Sequence, residues 1–248
     1  MDLLEQAREK LNQLLHQSHI DHKQSLHVRP LHPDEAIGAN ASSEFVIKKG
    51  KERVIEANYG EYRGQAFTDQ PIQWSGSIHE FMHLDLSSIP NRAIFVAGLN
   101  ALVRRLDLSQ QTIHCLDNKP SECGPEMARF LQSNYEIQNV GLIGLQPAIL
   151  KALAETFGDQ NVRVLDLNPD NIGTRKHNIL IENGDTDFPK IVAWCDLGLA
   201  TGSTIVNGSI NTISAMFQEA EKDLLFFGNT ISGPRALLGF NHYCPFGR

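Results

Sequence analysis

Short apolar runs alternate with helical segments through the second half of the chain, and this alternation constrains the fold more than any other feature of the sequence. Helical periodicity is present in PAILKALAETFG, which Gly158 ends, and again over about 209–221, with a further helical turn near PRALLGF. Strands that alternate with helices pair side by side in parallel. The sequence therefore predicts an α/β domain with a Rossmann-like parallel sheet, whose strands lie in IQNVGLIG, NVRVLDLN, CDLGLATGS and DLLFFGNT.

The first half of the chain predicts a smaller α+β domain. Apolar residues at helical spacing predict an opening amphipathic helix, and they are Leu3, Leu4, Ala7, Leu11, Leu14 and Leu15. We expect an irregular segment through Pro30 and Pro33, a hairpin around residues 49–51, and a strand in EYRGQAFTD. A short helix is predicted in SIHEFMHLDL and a longer one in NRAIFVAGLNALVRRL.

A polar stretch, DLSQQTIHCLDNKP, breaks the helical pattern between Asp107 and Pro120. We place the domain border there. The prediction assigns residues 1–110 to the α+β domain and residues 111–248 to the Rossmann-like domain.

Charge and composition exclude several classes of partner and location. The 248 residues carry a formal net charge of −7 with a pI near 5.8, and no basic run is longer than the two residues of Arg104-Arg105, so we expect neither nucleic acid nor an anionic membrane as a partner. The start of the chain has early acidic residues and no uninterrupted apolar core, which predicts a cytoplasmic protein. Four scattered cysteines without a CxxC pair indicate reduced thiols. Self-association is left open.

Polar or small residues follow each predicted strand of the second half. They are Gly144, then Asp166 and Asn168, then residues 201–204, then residues 228–230. Because the carboxyl ends of parallel strands meet at one edge of a sheet, beside helix N-termini, these residues predict a ligand-binding crevice.

The stretch TGSTIVNGS is the most informative part of that predicted crevice. Glycine permits a tight turn, and Ser203, Thr204 and Asn207 offer hydrogen-bonding groups just before a helix. The same residues also fit a purely local role as helix caps and turn residues. Both interpretations stay open for each residue taken alone.

The stretch VGLIGLQP does not encode a standard dinucleotide site. Its glycines have the spacing G-x-x-G and are followed by Pro147, whereas the dinucleotide fingerprint requires G-x-G-x-x-G. Asp166 lies about where a ribose-binding acid would, roughly 20 residues after the glycine turn. An acid at a strand end is as often a cap, so both roles are retained.

The stretch HEFMH resembles a zinc-hydrolase helix, in which two histidines hold the metal and the glutamate acts as a base. A third ligand is missing nearby, because no glutamate occurs between Glu80 and Glu122 and the next histidine is His114. We therefore interpret HEFMH as a packing helix.

Two further groups of residues could ligate a metal ion. The first consists of histidines spread over the N-terminal region, where a weakly chelating surface patch is the expected result: His16, His19, His22, His27 and His32. The second group requires separate loops to meet: His114, Cys115, Cys123, His242 and Cys244.

Several motifs together resemble a known family. The order of VGLIGLQPAILKAL, VRVLDLNP, CDLGLATGSTIVNGSINTI and LLFFGNTISGP is similar to the C-terminal Rossmann-like domain of the family described as "putative heavy-metal chelation", a prokaryotic family of unknown function. YRGQAFT and NRAIFVAGLNALVRRL are similar to its N-terminal, enolase-N-terminal-like domain. The resemblance implies two domains with a site in the cleft between them. It carries over to Asn100 on one side and, on the other, to Gly144, Thr201, Gly202, Ser203, Thr204, Asn207 and Thr230.

Two hypotheses of function follow from the sequence. The first is a metal-handling protein that binds a transition metal ion, or a small molecule that carries or chelates one, in the cleft. The second is an enzyme that uses the Rossmann-like domain to act on a small polar or nucleotide-like metabolite. An enzyme requires a strong acid, base or nucleophile in the cleft. The candidates on the Rossmann-like side are Asp166, Asp170 and Asp196, and those on the other side are Glu61, Arg63 and Asp69.

Overall fold

The computed structural model describes residues 2–39 and 52–248, which form two separate β-sheets with helices around them. The turn and the first strand of the hairpin predicted around residues 49–51 lie outside the described residues. Within the described chain no helix has the length and apolar character that a membrane crossing requires.

The N-terminal lobe contains an antiparallel sheet in the order β3-β2-β1-β4. Its strands are β1 (Ser25–Pro30), β2 (Arg53–Tyr59), β3 (Tyr62–Thr68) and β4 (Trp74–Ser77). Its helices are α1 (Leu3–Gln17), α2 (Pro33–Ile37), α3 (Ile78–Met82) and α4 (Ile89–Arg105). The opening helix, the EYRGQAFTD strand, the short helix and the long helix are confirmed.

The prediction of an irregular segment through Pro30 and Pro33 is wrong. Residues 25–30 form a central strand that pairs with both β2 and β4, and Pro33 begins a helical turn. Only Leu26 and Val28 of this strand are buried. Two apolar residues are too short an alternation to identify a strand, so its tertiary partners define it instead.

Helix α4 lies between the two lobes. It packs on β3 and β2 on one side, where an added Cβ at Gly64 would overlap the backbone of Ala97 and Ala101. Every residue from Ala93 to Val103 is buried, because C-terminal elements cover the helix on the other side. One continuous apolar core therefore extends from α1 and the N-terminal sheet into the second lobe.

The C-terminal lobe is a seven-stranded sheet flanked by helices. Its strands are β5 (Val140–Ile143), β6 (Val162–Asp166), β7 (Arg175–Lys176), β8 (Ile179–Asn183), β9 (Leu197–Thr201), β10 (Asp223–Phe227) and β11 (His242–Tyr243). Its α-helices are α5 (Lys119–Asn134), α6 (Pro147–Phe157), α7 (Phe188–Trp194), α8 (Thr204–Asn207), α9 (Ile210–Glu219) and α10 (Ser232–Leu238). The four strands predicted from the sequence and the helices after them are confirmed.

The sheet order is β11-β10-β9-β5-β6-β8-β7, and all neighbours are parallel except β7 and β8. When the short β7 is left out and the strands are numbered from β5, this order is the 3-2-1-4-5-6 order of a doubly wound fold. The predicted α/β class with a largely parallel sheet is confirmed. The strand order reverses between β5 and β9, the position where such folds bind their ligands.

The predicted border stretch connects the lobes without standing apart from them. The Thr112 carbonyl accepts a hydrogen bond from the Gln65 N–H at 2.9 Å, and the Thr112 hydroxyl donates to the Arg63 carbonyl at 2.8 Å. The segment thus lies along the outer edge of β3, which is an edge strand of the N-terminal sheet. The division into residues 1–110 and 111–248 stays a prediction.

Candidate functional site

The four predicted strand ends lie at one edge of the parallel sheet. Because β10, β9, β5 and β6 are adjacent and parallel, the residues that follow them share its carboxyl edge. Gly144 has φ +94° directly after β5, and its side-chain space is taken by the Thr201 methyl group at the end of β9. Glycine is required there by both conformation and space.

The TGST turn after β9 is held by its own side chains. The Thr201 and Ser203 hydroxyls lie 3.0 Å apart, and the Thr204 hydroxyl donates to the Thr201 carbonyl at 2.8 Å. Thr201 and Ser203 remain partly exposed, whereas Thr204 and Gly202 are buried. Two of these four residues can therefore reach a ligand at the edge.

Asn100 is fully buried between the lobes, and both Nδ2 and Oδ1 of its side chain form hydrogen bonds with main-chain groups. Its Nδ2 group donates to the carbonyls of Gln65, Asn229 and Thr230 at 2.8, 3.3 and 3.1 Å, and its Oδ1 accepts the Gly233 N–H at 2.6 Å. We call these five residues the Asn100 junction. The geometry gives Asn100 a positioning role between β3 and the segment after β10.

Thr230 and Asn207 also make contacts that belong to the fold. The buried Thr230 hydroxyl accepts the Phe67 N–H at 3.1 Å, which links the second lobe to β3. The exposed Asn207 side chain accepts the N–H and hydroxyl of Ser209 at 2.9 and 2.7 Å, and this fixes the turn into α9. Of the residues predicted from the sequence, the ones left accessible beside the strand switch are Gly144, Asp166, Thr201 and Ser203.

The N-terminus of α6, beside Gly144, has few N–H groups left for a phosphate group. Pro147 has no N–H to offer, and the Gln146 side chain already accepts the Ile149 N–H at 2.6 Å. A helix N-terminus binds anions through free N–H groups. This capping agrees with the missing dinucleotide fingerprint.

Glu52 lies near enough to two other carboxyl groups, at the β6 end of this edge, for their charges to act on it, and we call the three residues the acidic edge: Glu52, Asp69 and Asp166. Glu52 directly precedes β2 and Asp69 directly follows β3, and because Arg53 pairs with Thr68 the two acids are neighbours at the open end of the hairpin. Asp166 ends β6 in the other lobe. Burial and the charges of Asp166 and Asp69 raise the pKa of Glu52 from 4.5 to about 7.

Asp166 also organises the turn that carries it. Its Oδ1 accepts the N–H groups of Leu167 and Asn168 at 2.7 and 3.1 Å, and its Oδ2 accepts the Asn171 amide at 2.6 Å. The capping role considered from the sequence is therefore present. The Asp166 charge still acts on Glu52 across the two lobes.

The HEFMH helix uses its glutamate as a cap. Glu80 Oε2 accepts the N–H and hydroxyl of Ser77, both at 2.7 Å, and these bonds hold the pKa of Glu80 below its ordinary value. The exposed His79 and His83 rings lie 4.4 Å apart on a five-residue helix. Glu80 is therefore ionised near neutral pH, and its lowered pKa makes it a weak base.

The N-terminal histidines do not converge. His16 and His22 stack at 4.8 Å, whereas His27 contacts the Ser75 hydroxyl at 3.0 Å and His32 begins α2. Within residues 2–39 and 52–248, no three His, Cys, Asp or Glu side chains stand in an arrangement that could hold a metal ion.

Three of the four free cysteines lie in the region beyond the end of β11, near enough for their charges to act on one another: Cys115, Cys123 and Cys244. We call them the thiol cluster. Burial, followed by the charge of Cys244, raises the pKa of both Cys115 and Cys123, that of Cys115 to about 12. Burial also lowers the pKa of His114 and of His242 to about 4, so both imidazoles are neutral at pH 7.

Two surface depressions lie away from these groups. One, of about 370 Å³, is lined by residues of the α1–β1 connection and the β2–β3 turn, including Asp21, Glu61 and Arg105. The other, of about 320 Å³, lies between β6 and β8 and includes Arg163 and Glu182. Neither includes a residue of the acidic edge.

Comparison with known proteins finds a family model that is similar to part of the C-terminal lobe. Residues 126–232 match the model of DUF364, described as "putative heavy-metal chelation". The resemblance inferred from the sequence motifs is confirmed over this range, which includes Gly144, Asp166 and the TGST turn. No curated protein matches the sequence.

Two solved structures resemble this one. A DUF364 protein of unknown function from Pyrococcus horikoshii is 18% identical, with 92% of this chain and 79% of that chain covered and a TM-score of 0.52. A second DUF364 protein of unknown function, from Desulfitobacterium hafniense, is 13% identical over 75% of this chain and 72% of that chain, with a TM-score of 0.48. The likeness to the Pyrococcus protein supports the fold.

The sequence does not single out Glu52, whereas Cys115, Cys123 and Cys244 belong to the group that separate loops would have to bring together. Glu52 lies in KGKERV, where nothing distinguishes it from a solvated surface charge. The cysteines lie in separate segments, and their meeting requires the path of the last residues of the chain. The one usable signal was that three of the four cysteines flank the strand-rich region near its ends.

Proposed function

We propose that the chain binds a hydrated metal cation, or a cationic or metal-bearing small molecule, in the cleft between the N-terminal lobe and the carboxyl edge of the parallel sheet. The acidic edge supplies negative charge, and Thr201 and Ser203 supply hydroxyl groups. The observation that carries the proposal is the position of Glu52, whose carboxyl group is partly buried beside two other carboxyl groups.

Like charges that share a poorly hydrated position oppose each other's ionisation. Here this opposition, added to burial, raises the pKa of Glu52 to about 7, so the group takes up a proton unless another cation replaces it. Strongly perturbed groups of this kind are concentrated at functional sites. The location beside the reversal of strand order supports the same conclusion.

The donors of the acidic edge determine which cation fits. Carboxylate and hydroxyl oxygens suit hard ions such as Mg²⁺, Ca²⁺ and Mn²⁺, whereas soft heavy metals prefer thiolates. The described residues also place no three such ligands in a metal-holding arrangement. The acidic edge therefore fits a cation that keeps its own water or ligand shell, and it does not fit a bare soft metal ion.

A thermal-shift series with Mg²⁺, Mn²⁺, Ca²⁺ and hexaamminecobalt(III) tests the proposal, because the cobalt complex cannot exchange its ligands. A ligand at about one hundred times its Kd stabilises the folded state by about 2.7 kcal/mol, which raises the Tm by several degrees. We expect this shift at pH 8, and a smaller one at pH 6 where protons occupy Glu52.

The Glu52→Gln, Asp166→Asn double variant is expected to lose the shift. The matched control is Asp223→Asn, which removes an exposed acid at the opposite, amino edge of the sheet. The proposal is overturned if no probe raises the Tm of the unaltered protein, or if the double variant responds as strongly as the control.

A further inference from the structure

The depression of about 370 Å³ lies in the N-terminal lobe, where two helices end beside the tip of the β2–β3 hairpin, and we call it the hairpin-tip depression. Arg105 is the last residue of α4, and Ser18 directly follows α1. Gly60 and Glu61 form the two-residue turn of the hairpin, and Gly60 has the left-handed φ of +59° that such turns use at their first position. Three distant segments of the chain thus enclose a volume at the lower end of the range of small-molecule sites.

The buried part of this lining is apolar. Ile20 and the ring of Tyr59 are buried, and both belong to the continuous core of the N-terminal lobe. Tyr62, opposite Tyr59 across the hairpin, is half-buried and packs against the same core. The Tyr59 hydroxyl donates a hydrogen bond to the Gln24 side-chain oxygen. The inner wall therefore suits an apolar group and does not suit a charged one.

The exposed part of the lining carries charges of both signs: Arg105, Asp21 and Glu61. The Arg105 guanidinium lies 5.6 Å from the centre of the Tyr62 ring and forms no ion pair within residues 2–39 and 52–248. The Asp21 carboxylate accepts only the N–H of Lys23, at 2.9 Å, and Glu61 has no side-chain partner in the described part of the chain. A cation and two anions thus border one depression without pairing with each other.

The second depression, of about 320 Å³, shows the opposite arrangement. There the Arg163 Nε group donates to Glu182 at 2.7 Å, and Arg175 donates to the Asn178 carbonyl at 2.6 Å. The Asn178 amide donates to Asp159 at 3.2 Å. The polar groups of that depression bind one another, whereas those of the hairpin-tip depression stay available to a ligand.

We propose that the hairpin-tip depression binds a free amino acid with an apolar side chain. Its carboxylate pairs with Arg105, its ammonium group pairs with Glu61 and Asp21, and its side chain lies against Ile20 and Tyr59. A ligand with only one charge leaves the opposite sign of the rim unpaired, so the arrangement favours a zwitterion. The depression includes no residue of the acidic edge, and the proposal does not depend on a cation there.

Three compounds with the same apolar chain test the proposal: L-leucine, 4-methylpentanoate, which lacks the ammonium group, and 3-methylbutylamine, which lacks the carboxylate. Amide proton–nitrogen NMR of the full chain at about pH 7 follows binding, with the Gly60 amide in the hairpin turn as the local reporter. We expect leucine to shift this resonance in a saturable way, with a millimolar Kd. Each of the other two compounds should bind about two- to fivefold more weakly, the usual effect of an exposed ion pair.

Variants of the rim should change which compounds are distinguished. Arg105→Gln should bind leucine no better than 3-methylbutylamine, and the Asp21→Asn, Glu61→Gln double variant should bind it no better than 4-methylpentanoate. A variant that merely disturbed the fold would weaken all three compounds alike.

Arg175→Gln is the matched control, because it removes an exposed arginine from the lining of the other depression, and it should keep the full preference for leucine. The proposal is overturned if leucine leaves the Gly60 resonance unshifted, or if the two singly charged compounds bind as tightly as leucine. It is also overturned if Arg175→Gln loses the preference as Arg105→Gln does.

Discussion

The side-chain amide of Asn100 joins the two lobes through main-chain groups alone. Its partners are the Gln65 carbonyl in the middle of β3, carbonyls that follow β10, and the Gly233 N–H in the first turn of α10. None of these bonds involves a group that could exchange for a ligand without opening the core. Asn100 therefore positions the carboxyl edge against the N-terminal sheet.

Replacement of Asn100 by alanine should destabilise the protein by about 3 kcal/mol, because several buried polar groups lose their partners at once. The measurement is the free energy of unfolding in urea. Asn134→Ala, at an exposed position at the end of α5, is the control and should change this free energy by less than about 0.5 kcal/mol. A small effect of Asn100→Ala would show that the junction is replaceable by water.

Glu52 gives the stability of the protein a specific pH dependence. Its pKa is about 7 in the folded state and 4.5 when unperturbed, so the folded state binds its proton more tightly. The free energy of unfolding therefore falls as the pH rises from about 4.5 to about 7, because Glu52 ionises more readily in the unfolded chain. Above that range this loss of stability stays constant.

Glu52→Gln should be more stable than the unaltered protein by about 2 kcal/mol at pH 8, and the difference should disappear near pH 4. Urea unfolding at several pH values measures it. Glu219→Gln, at an exposed position of α9, serves as the control and should show no such trend. A difference independent of pH would mean that Glu52 ionises normally.

The site residues divide into those that a sequence can reveal and those that it cannot. Gly144, Asp166, Thr201 and Ser203 were predicted to share an edge, because alternation of strands and helices fixes where parallel strands end. Glu52 joins them from the other lobe, and its role depends on the docking of two sheets. No local pattern encodes that docking.

Among the elements, those with a long and regular apolar pattern are the ones that the sequence predicts. Helix α4 and the four strands β5, β6, β9 and β10 have such patterns and were predicted. Helix α5 was not, because Gly124 and Pro125 interrupt it and both disfavour a helix interior. Its apolar face packs on α6, and this tertiary contact supports the helix against its local preferences.

The contact between α5 and α6 depends on the glycine that interrupts the helix. An added Cβ at Gly124 would overlap the carbonyl oxygen of Ala148 in the backbone of α6. In an exposed helix, glycine to alanine stabilises by about 1 kcal/mol. Here the backbone has no flexible group that can move aside.

We expect Gly124→Ala to destabilise the protein by about 1–3 kcal/mol, the usual effect of overpacking. Thermal unfolding measures the change, and Ser133→Ala on the exposed face of the same helix should be neutral or slightly stabilising. If Gly124→Ala raised the Tm, the close approach of α5 and α6 would be wrong.

At the scale of the whole molecule, the two sheets share one core. Helix α4 is buried on all sides between them, and apolar residues of α1, β1, α8 and α10 belong to the same contiguous cluster. The Asn100 junction and the contact between Thr230 and Phe67 cross the same boundary. A lobe that unfolded alone would expose the apolar surface of α4, so we expect the lobes to unfold together.

The chain has two tryptophans, one in each lobe, and both pack against the shared core: Trp74 in β4 and Trp194 at the end of α7. In the Trp194→Phe variant the fluorescence reports the N-terminal lobe, and in Trp74→Phe it reports the C-terminal lobe. Within each variant, the fluorescence transition in urea should coincide with the transition seen by far-ultraviolet circular dichroism, as one cooperative step requires. Separate midpoints in either variant would show that α4 stays folded with one lobe only, and the cleft would then be a contact between independent units.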